Sequence, residues 1–237
     1  MSSSENPSEI ARIRRLYATV YRPDVQDRSY PWHACNPISV YYRQALERAI
    51  IKMFNHIDLP LDSMRALDVG CGIGNFLRFL ATLGVLPQRL FGVDLMPDRL
   101  HHAVNLSPPG ISFCCGNGEF LPFPGEHFSM VSQFTVFSSI LDAAIRNRLA
   151  TEMLRVLQPG GVLLWYDMQI SKSTTLHSIH LTELNTLFAP CQLVALHPLH
   201  PPFGTRLSRH STLLCQLYDT VPVLPKSHIL ALFRKGD

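Results

Sequence analysis

The chain has 237 residues, 46% of them hydrophobic, and a formal net charge of +3 from 21 Lys and Arg against 18 Asp and Glu. Length and apolar content fit one α/β domain with a sizeable core rather than two independent domains. The charge is too small and too scattered to argue for nucleic acid, with Arg12, Arg14 and Arg15 as the only local basic cluster.

The cysteines at 35, 71, 114, 115, 191 and 215 form no Cys-x-x-Cys pair and no Cys/His ladder, so they read as reduced thiols of a cytoplasmic protein without a structural metal. Met1 to Pro7 lacks the basic start and apolar core of a signal peptide. No apolar run approaches the ~20 residues of a membrane span, so membrane insertion is not expected.

In chain order, residues 1 to 9 are polar, and Ile10, Ile13, Leu16, Tyr17 and Val20 then mark one stripe of a helix over Ile10 to Tyr21. Arg22 to Pro37 is aromatic and turn-rich, and Val40 to Ile57 is a longer amphipathic helix. Residues 1 to 62 therefore read as an N-terminal helical extension, before strand and helix signals begin to alternate. Strands are expected at Arg65 to Val69, Arg89 to Val93, Ile111 to Cys114, Met130 to Thr135 and Val162 to Asp167, with helices from Asn75, from Pro97 and over Ala143 to Leu157. Such alternation implies parallel strands joined by right-handed crossovers. Beyond Asp167 the pattern suggests a helix at Leu181 to Phe188, a strand at Cys191 to His197, a helix at Thr205 to Tyr218 and a last strand at His228 to Phe233. The segment 198 to 226 then reads as an insert between the sixth and seventh strands of a core spanning 63 to 237.

The most informative segment is Ala66-Leu-Asp-Val-Gly-Cys-Gly-Ile-Gly-Asn75, an apolar strand that ends in Gly70, Gly72 and Gly74 and runs into a helix. Glycines in such a turn let a nucleotide-like ligand approach bare backbone. Asp94 closes the next strand about 20 residues on, where open α/β sheets bind ribose hydroxyls. The third glycine of a dinucleotide fingerprint is missing, because position 75 is Asn.

Asp68, two residues ahead of the first of these glycines, completes a pattern that resembles motif I of the class I S-adenosylmethionine-dependent methyltransferases. Downstream, Cys115 to Pro124 resembles that family's adenine loop, Phe128 to Ile140 its fourth strand and turn, and Leu157 to Asp167 the entry to its fifth strand. The resemblance implies a Rossmann-like, seven-stranded, mostly parallel sheet with an antiparallel last strand, binding S-adenosyl-L-methionine. Exposed N–H groups at the glycine turn and helix start would then hold the cofactor's carboxylate, with Gly70 and Gly72 giving close approach, Gly74 letting the helix pack near the strand and Cys71 counted in the same cofactor-binding turn; Asp68 would orient the turn or reach the ammonium. Asp94 would accept from the ribose diol while Leu95 packs on adenine. Asn117, Gly118 and Glu119 would border the adenine, with Gln133 and Phe134 by the methionine portion. Tyr17 either lies over the cofactor as part of a lid or belongs to a core stripe.

The implied activity is methyl transfer to a small molecule, at a hydroxyl or carboxyl oxygen of a secondary metabolite, by a monomer or homodimer. A base to receive the acceptor's proton would come from Asp167 or His33, with His177, His180, His197 and His200 as further candidates. Trp32 and the insert at 198 to 226 would wall the acceptor pocket. Two rivals share the fold: a protein or RNA methyltransferase, hinted at by the arginine cluster, and a cyclase or isomerase that keeps the cofactor as scaffold.

Overall fold

A computed structural model of the chain describes residues 7–20, 28, 30–31, 33–57, 59–171, 173–204 and 211–236. Two helices come first, α1 (Pro7–Val20) and α2 (Pro37–Ile57). The second starts three residues before its hydrophobic pattern does. Asn36 explains this, since its side-chain Oδ1 accepts the Ile38 N–H at 2.9 Å and Pro37 takes the first helical position, where no donor is needed.

Then follow β1 (Ala66–Val69), α3 (Asn75–Thr82), β2 (Leu90–Asp94), α4 (Pro97–Leu106), β3 (Ser112–Cys115), β4 (Phe128–Phe134), α5 (Ala143–Val156), β5 (Leu157–Met168), α6 (Leu181–Leu187), β6 (Cys191–Leu199), α7 (Thr212–Thr220) and β7 (His228–Lys235). The strands form one seven-stranded sheet in the order β3-β2-β1-β4-β5-β7-β6. Neighbours among β1 to β5 pair in parallel, and β7 runs antiparallel to both β5 and β6. This is the mostly parallel sheet with a reversed last strand expected from the sequence.

Local differences have local causes. β5 begins at Leu157 rather than Val162 because Leu157 pairs with Phe128 before a register shift, and Gly160 takes a positive φ of 69° in the intervening bulge. The helix expected from Thr205 is described over Thr212–Thr220, where the Ser211 hydroxyl caps the Leu214 N–H; residues 205–210, like Trp32 and Tyr21, lie outside the described residues. Between β6 and β7 stands this helix, packed on α2, where the Tyr41 hydroxyl donates to Asp219.

Side-chain alternation along each strand divides the interior in two. Leu67, Val69, Val131, Leu163 and Trp165 face α5, α6 and Ile13 of α1. Ala66, Met130, Val162, Leu164 and Tyr166 face α2, α3 and α4. The switch point falls between β1 and β4, so the crevice where ligands of open α/β sheets settle opens beyond the carboxyl ends of β1, β2 and β4. Among the described residues no helix is long and apolar enough to cross a membrane.

Candidate functional site

A cleft opens at that switch point, with about 740 Å³ of space between its walls counting the solvent at its open mouth. Its floor comes from strand ends and the loops after them: Val69 and Gly70 after β1, Val93 to Met96 after β2, and Gly116 to Glu119 after β3. Val136, Ser139 and Ile140 after β4 form one wall, Ile145 and Leu149 of α5 another. Ile10, Ile13 and Tyr17 of α1 form the roof, so the helical stripe visible in the sequence faces a cavity as well as the core.

Three anchors hold α1 there. Glu9 accepts two bonds from Arg12, at 2.7 and 2.9 Å, and the Leu141 N–H at 2.6 Å. Arg12 also donates to the carbonyls of Ser139 and Thr175. Tyr17 Oη lies 2.8 Å from Ser139 Oγ and donates to the Thr135 carbonyl at 3.2 Å. Arg12 of the basic cluster is thus turned inward, while Arg14 lines a more open recess beside the cleft.

The glycine turn is rigid for two reasons. Gly70, Gly72 and Gly74 all have positive φ, at 74°, 56° and 79°, and the turn bonds to β2. Gly70 and Cys71 both donate to the Val93 carbonyl, at 2.7 and 3.0 Å, Gly72 to Asp94 Oδ2 at 2.7 Å, and Gly74 to the Cys71 carbonyl at 2.9 Å. The N–H groups of Gly70, Cys71, Gly72 and Gly74 are therefore engaged within the protein. Buried Asp94 takes a second backbone bond, from Met96 N–H to Oδ1 at 2.9 Å, so each of its oxygens keeps acceptor capacity, and the residue lines the cleft.

At the third strand's loop, Asn117 Oδ1 accepts the Glu119 N–H and its amide donates to Glu119 Oε1, both at 3.1 Å. Arg148 pairs with Glu119 Oε2 at 2.6 Å. Gly116 has only Val93 Cγ1, at 3.6 Å, near the place of a Cβ, so the bare backbone there faces open space.

Of the residues singled out from the sequence, Tyr17, Gly70, Asp94, Leu95, Asn117, Gly118 and Glu119 meet at the cleft. Asp68, Cys71, Gly72, Gly74, Gln133 and Phe134 are not among its lining residues; they build its supports. Asp68 lies one residue before the end of β1, so its side chain turns onto the sheet face under α3. It accepts from Ser132, its register partner on β4, at 2.8 Å. Burial pushes its carboxyl up to about 8, against the lowering effect of the Ser132 hydrogen bond. Cys71 is buried against Gly92, and burial raises its thiol, so it packs rather than reacts. Gln133 fixes the bend after β4 by accepting the Val136 N–H at 2.9 Å and donating to the Tyr166 carbonyl at 3.2 Å. The next residue but one, Thr135, sits in the left-handed region at φ 58°.

Neither proposed base reaches the cleft. Asp167 is fully buried, and its oxygens accept the backbone N–H groups of Ser138 at 3.1 Å and Met168 at 2.8 Å. It fastens the turn that presents Ser139, and burial lifts its carboxyl to about 6. His33 Nδ1 accepts the Cys35 N–H at 3.1 Å, away from the lining residues. Of the other histidines, His177 pairs with Glu183 at 2.8 Å, and His200 stacks on Tyr42 inside the protein. Sequence reading missed Arg99, Val136, Ser139, Ile145 and Leu149. The last two are an i, i+4 pair on α5, a weak but readable signal, whereas nothing local to Arg99 distinguishes it.

A methyltransferase domain model matches residues 66–161, the stretch that holds the glycine turn, Asp94 and the adenine-like loop. The ubiquinone biosynthesis O-methyltransferase of Azorhizobium caulinodans is 28% identical over 165 residues, 67% of this chain and 61% of that enzyme. The 2-methyl-6-phytyl-1,4-hydroquinone methyltransferase of a Synechocystis species is 35% identical over 103 residues, 43% of this chain and 31% of that protein. The chain thus matches about three fifths or less of the length of these curated relatives. In fold it superposes on an S-adenosylmethionine-dependent methyltransferase from Mesorhizobium loti with a TM-score of 0.60 at 16% identity, covering 89% of this chain and 99% of the other. The sheet order, the glycine turn and the strand-end acid agree with these matches: residues 66–161 resemble a methyltransferase domain, and the fold is the one seen in S-adenosylmethionine-dependent methyltransferases.

Proposed function

We propose that the chain transfers a methyl group from S-adenosyl-L-methionine to an oxygen of a small, hydroxyl- or carboxyl-bearing acceptor. The observation that carries this reading is the convergence of Gly70, Asp94 and Asn117 on one roofed cleft at the switch point of the sheet. The lining fits the cofactor's nucleoside. Leu95, Val69, Ile145 and Leu149 offer apolar surface for the adenine faces, and Gly116 and Gly118 offer bare backbone beside it. Asp94 retains acceptor capacity for a diol while its backbone bonds hold it in place.

When bound, the cofactor supplies an electrophilic methyl on a sulfonium, and the protein's work is alignment and exclusion of water. Within the N-terminal extension of residues 1 to 62, α1 serves this reading as a lid on the core of 63 to 237: Ile10 and Ile13 cover the cleft, and Tyr17 joins the lid to Ser139 and Thr135. The oxygen preference is supported by the Azorhizobium relative, which is named as an O-methyltransferase, and the small-molecule class by both curated relatives. The free cysteines at positions 35, 71, 114, 115, 191 and 215 suit a reducing, cytoplasmic setting.

The test is incubation of the purified chain with methyl-deuterated cofactor and a panel of phenolic and carboxylic acceptors, read by mass spectrometry. A labelled methyl on oxygen with release of S-adenosylhomocysteine is the expected result. Failure to bind the cofactor by calorimetry overturns the reading.

A further inference from the structure

Two histidines stand at the carboxyl edge of the sheet without lining the cleft. His200 follows β6 and His228 opens β7, where His228 pairs with Met168 at the end of β5. The His228 ring stacks on Tyr166, with centroids 5.2 Å apart and planes 10° apart. Tyr166 in turn meets Phe134, the last residue of β4, at 6.0 Å, and its carbonyl accepts the Thr135 N–H at 2.8 Å. Val136 follows and lines the cleft. His228 therefore stands two strands from the cleft wall, about 10 Å at the usual strand spacing. Phe134, Met168 and His228 are each partly exposed along that edge.

The surroundings of His228 settle which of its nitrogens carries the proton. Ser227 Oγ lies 2.8 Å from Nδ1 and 3.2 Å from the His200 carbonyl. A hydroxyl has one proton and a carbonyl only accepts, so both contacts are satisfied when Nδ1–H donates to Oγ and Oγ–H donates to the carbonyl. That tautomer leaves a lone pair on Nε2, which makes no hydrogen bond within the described residues. The start of β7 is pinned as well: the Ser227 N–H donates to the His200 carbonyl at 2.8 Å and Lys226 Nζ to the Tyr218 carbonyl at 2.6 Å. Burial lowers the His228 imidazole to about 4, so near pH 7 the ring is neutral and the lone pair is kept. His200, its ring centroid 5.3 Å from that of His228, has both nitrogens buried without a partner among the described residues. The two rings thus hold hydrogen-bonding capacity that the chain itself does not use.

We propose that the acceptor lies along this edge from β4 to β7 and that His228 Nε2 accepts a hydrogen bond from its hydroxyl, which makes the substrate a planar phenol rather than a carboxylate. The inference rests on the methyl-transfer reading and narrows its acceptor. A lone pair receives an O–H donor and offers nothing to a carboxylate, whose oxygens only accept. A site built to bond a hydroxyl also rejects the ether of the same shape, because its nitrogen is then left unpaired. The rings of Phe134 and Tyr166, between the cleft and His228, suit a flat apolar body. His228 is a specificity residue in this role, since an imidazole so weakly basic reads a proton without removing it.

The test uses the chain saturated with S-adenosylhomocysteine, its uptake first measured by calorimetry, and ligand-observed NMR titrations of p-cresol, its methyl ether and p-toluate. The native chain is expected to bind p-cresol about 5- to 20-fold more tightly than the ether, as for one hydrogen bond whose partner is otherwise left unpaired, and more tightly than the toluate. His228→Phe, which keeps a flat ring on Tyr166, and His228→Gln, which keeps an acceptor oxygen, are compared after thermal melts establish folding. The first is expected to abolish the preference for p-cresol over its ether and the second to retain part of it. No preference for p-cresol in the native chain, or a native preference in His228→Phe, overturns the role of His228 while the methyl-transfer reading stands. Absence of S-adenosylhomocysteine binding overturns both.

Discussion

Truncating Asp94 exposes how far the cleft depends on a group that also serves its own scaffold. In the ligand-free chain its carboxylate accepts two backbone N–H groups, from Gly72 at 2.7 Å and Met96 at 2.9 Å. Asp94→Ala leaves both donors without that partner at a residue that is only 5% exposed. Hydrogen bonds to a charged group contribute about 1.5 to 3 kcal/mol each, and the cleft lets water recover part of that, so a total near 3 kcal/mol is expected. Against a domain stability of roughly 5 to 15 kcal/mol the variant still folds. With a urea dependence of about 2 to 3 kcal/mol per molar, its unfolding midpoint falls by roughly 1 M with no ligand present. Asp94→Asn retains one acceptor oxygen and turns an amide NH2 donor on the other backbone N–H, so it too falls below the native chain. Equilibrium urea unfolding followed by tryptophan fluorescence and circular dichroism measures all three chains. A native midpoint for Asp94→Ala without ligand would refute the reasoning, because the two backbone bonds would then contribute nothing to the turn.

Three further outcomes follow from the same geometry. Gly70→Ala places a Cβ inside Val136 at a φ of 74°; the conformational part costs about 1 to 2 kcal/mol and the overpacking about 1 to 3. Adding Val136→Ala should recover only the second part in thermal melts, and a double variant no better than the single one would contradict the assignment. Tyr17→Phe removes the hydroxyl between Ser139 and Thr135, worth about 1 kcal/mol, so S-adenosylhomocysteine should leave roughly five times faster by stopped flow; an unaltered release rate speaks against α1 as a roof. Asp68 is expected to give the chain a pH signature. Burial raises its folded carboxyl to about 8, so its contribution to stability is full below the unfolded value near 4 and is lost as pH rises toward 8. Asp68→Asn should flatten that decline between about pH 5 and 8, read as the difference between the two urea-stability profiles. His228, lowered to about 4 by burial, acts in the opposite sense, losing stability as pH falls from about 6.5, and cancels in that difference. Parallel profiles would assign the slope to other groups.

Asp68 and Asp167 show why matching a residue type to a motif is not the same as finding its partner. Each stands near the end of a strand at the edge where ligands bind, yet each turns inward, to Ser132 and to the Ser138 and Met168 N–H groups. The strand period decides this, because one step along a strand moves a side chain to the opposite face. A similar limit applies to α1, where Ile10, Ile13 and Tyr17 were legible as a stripe while the surface they would cover was not.

By itself the sequence determined the alternation of strands and helices, the glycine turn at 70 to 74, the acid at 94 and the loop at 115 to 119, since backbone preference and apolar period are carried by neighbouring residues. Only the tertiary structure decided which group each donor meets. Gly72 meets Asp94 across 22 residues, Tyr17 meets Ser139 across 122, and Arg99 comes to rest on Gly72 from the following helix. A hydrogen bond is satisfied by whatever the fold brings within reach, and that reach is set by the packing of distant segments rather than by local order.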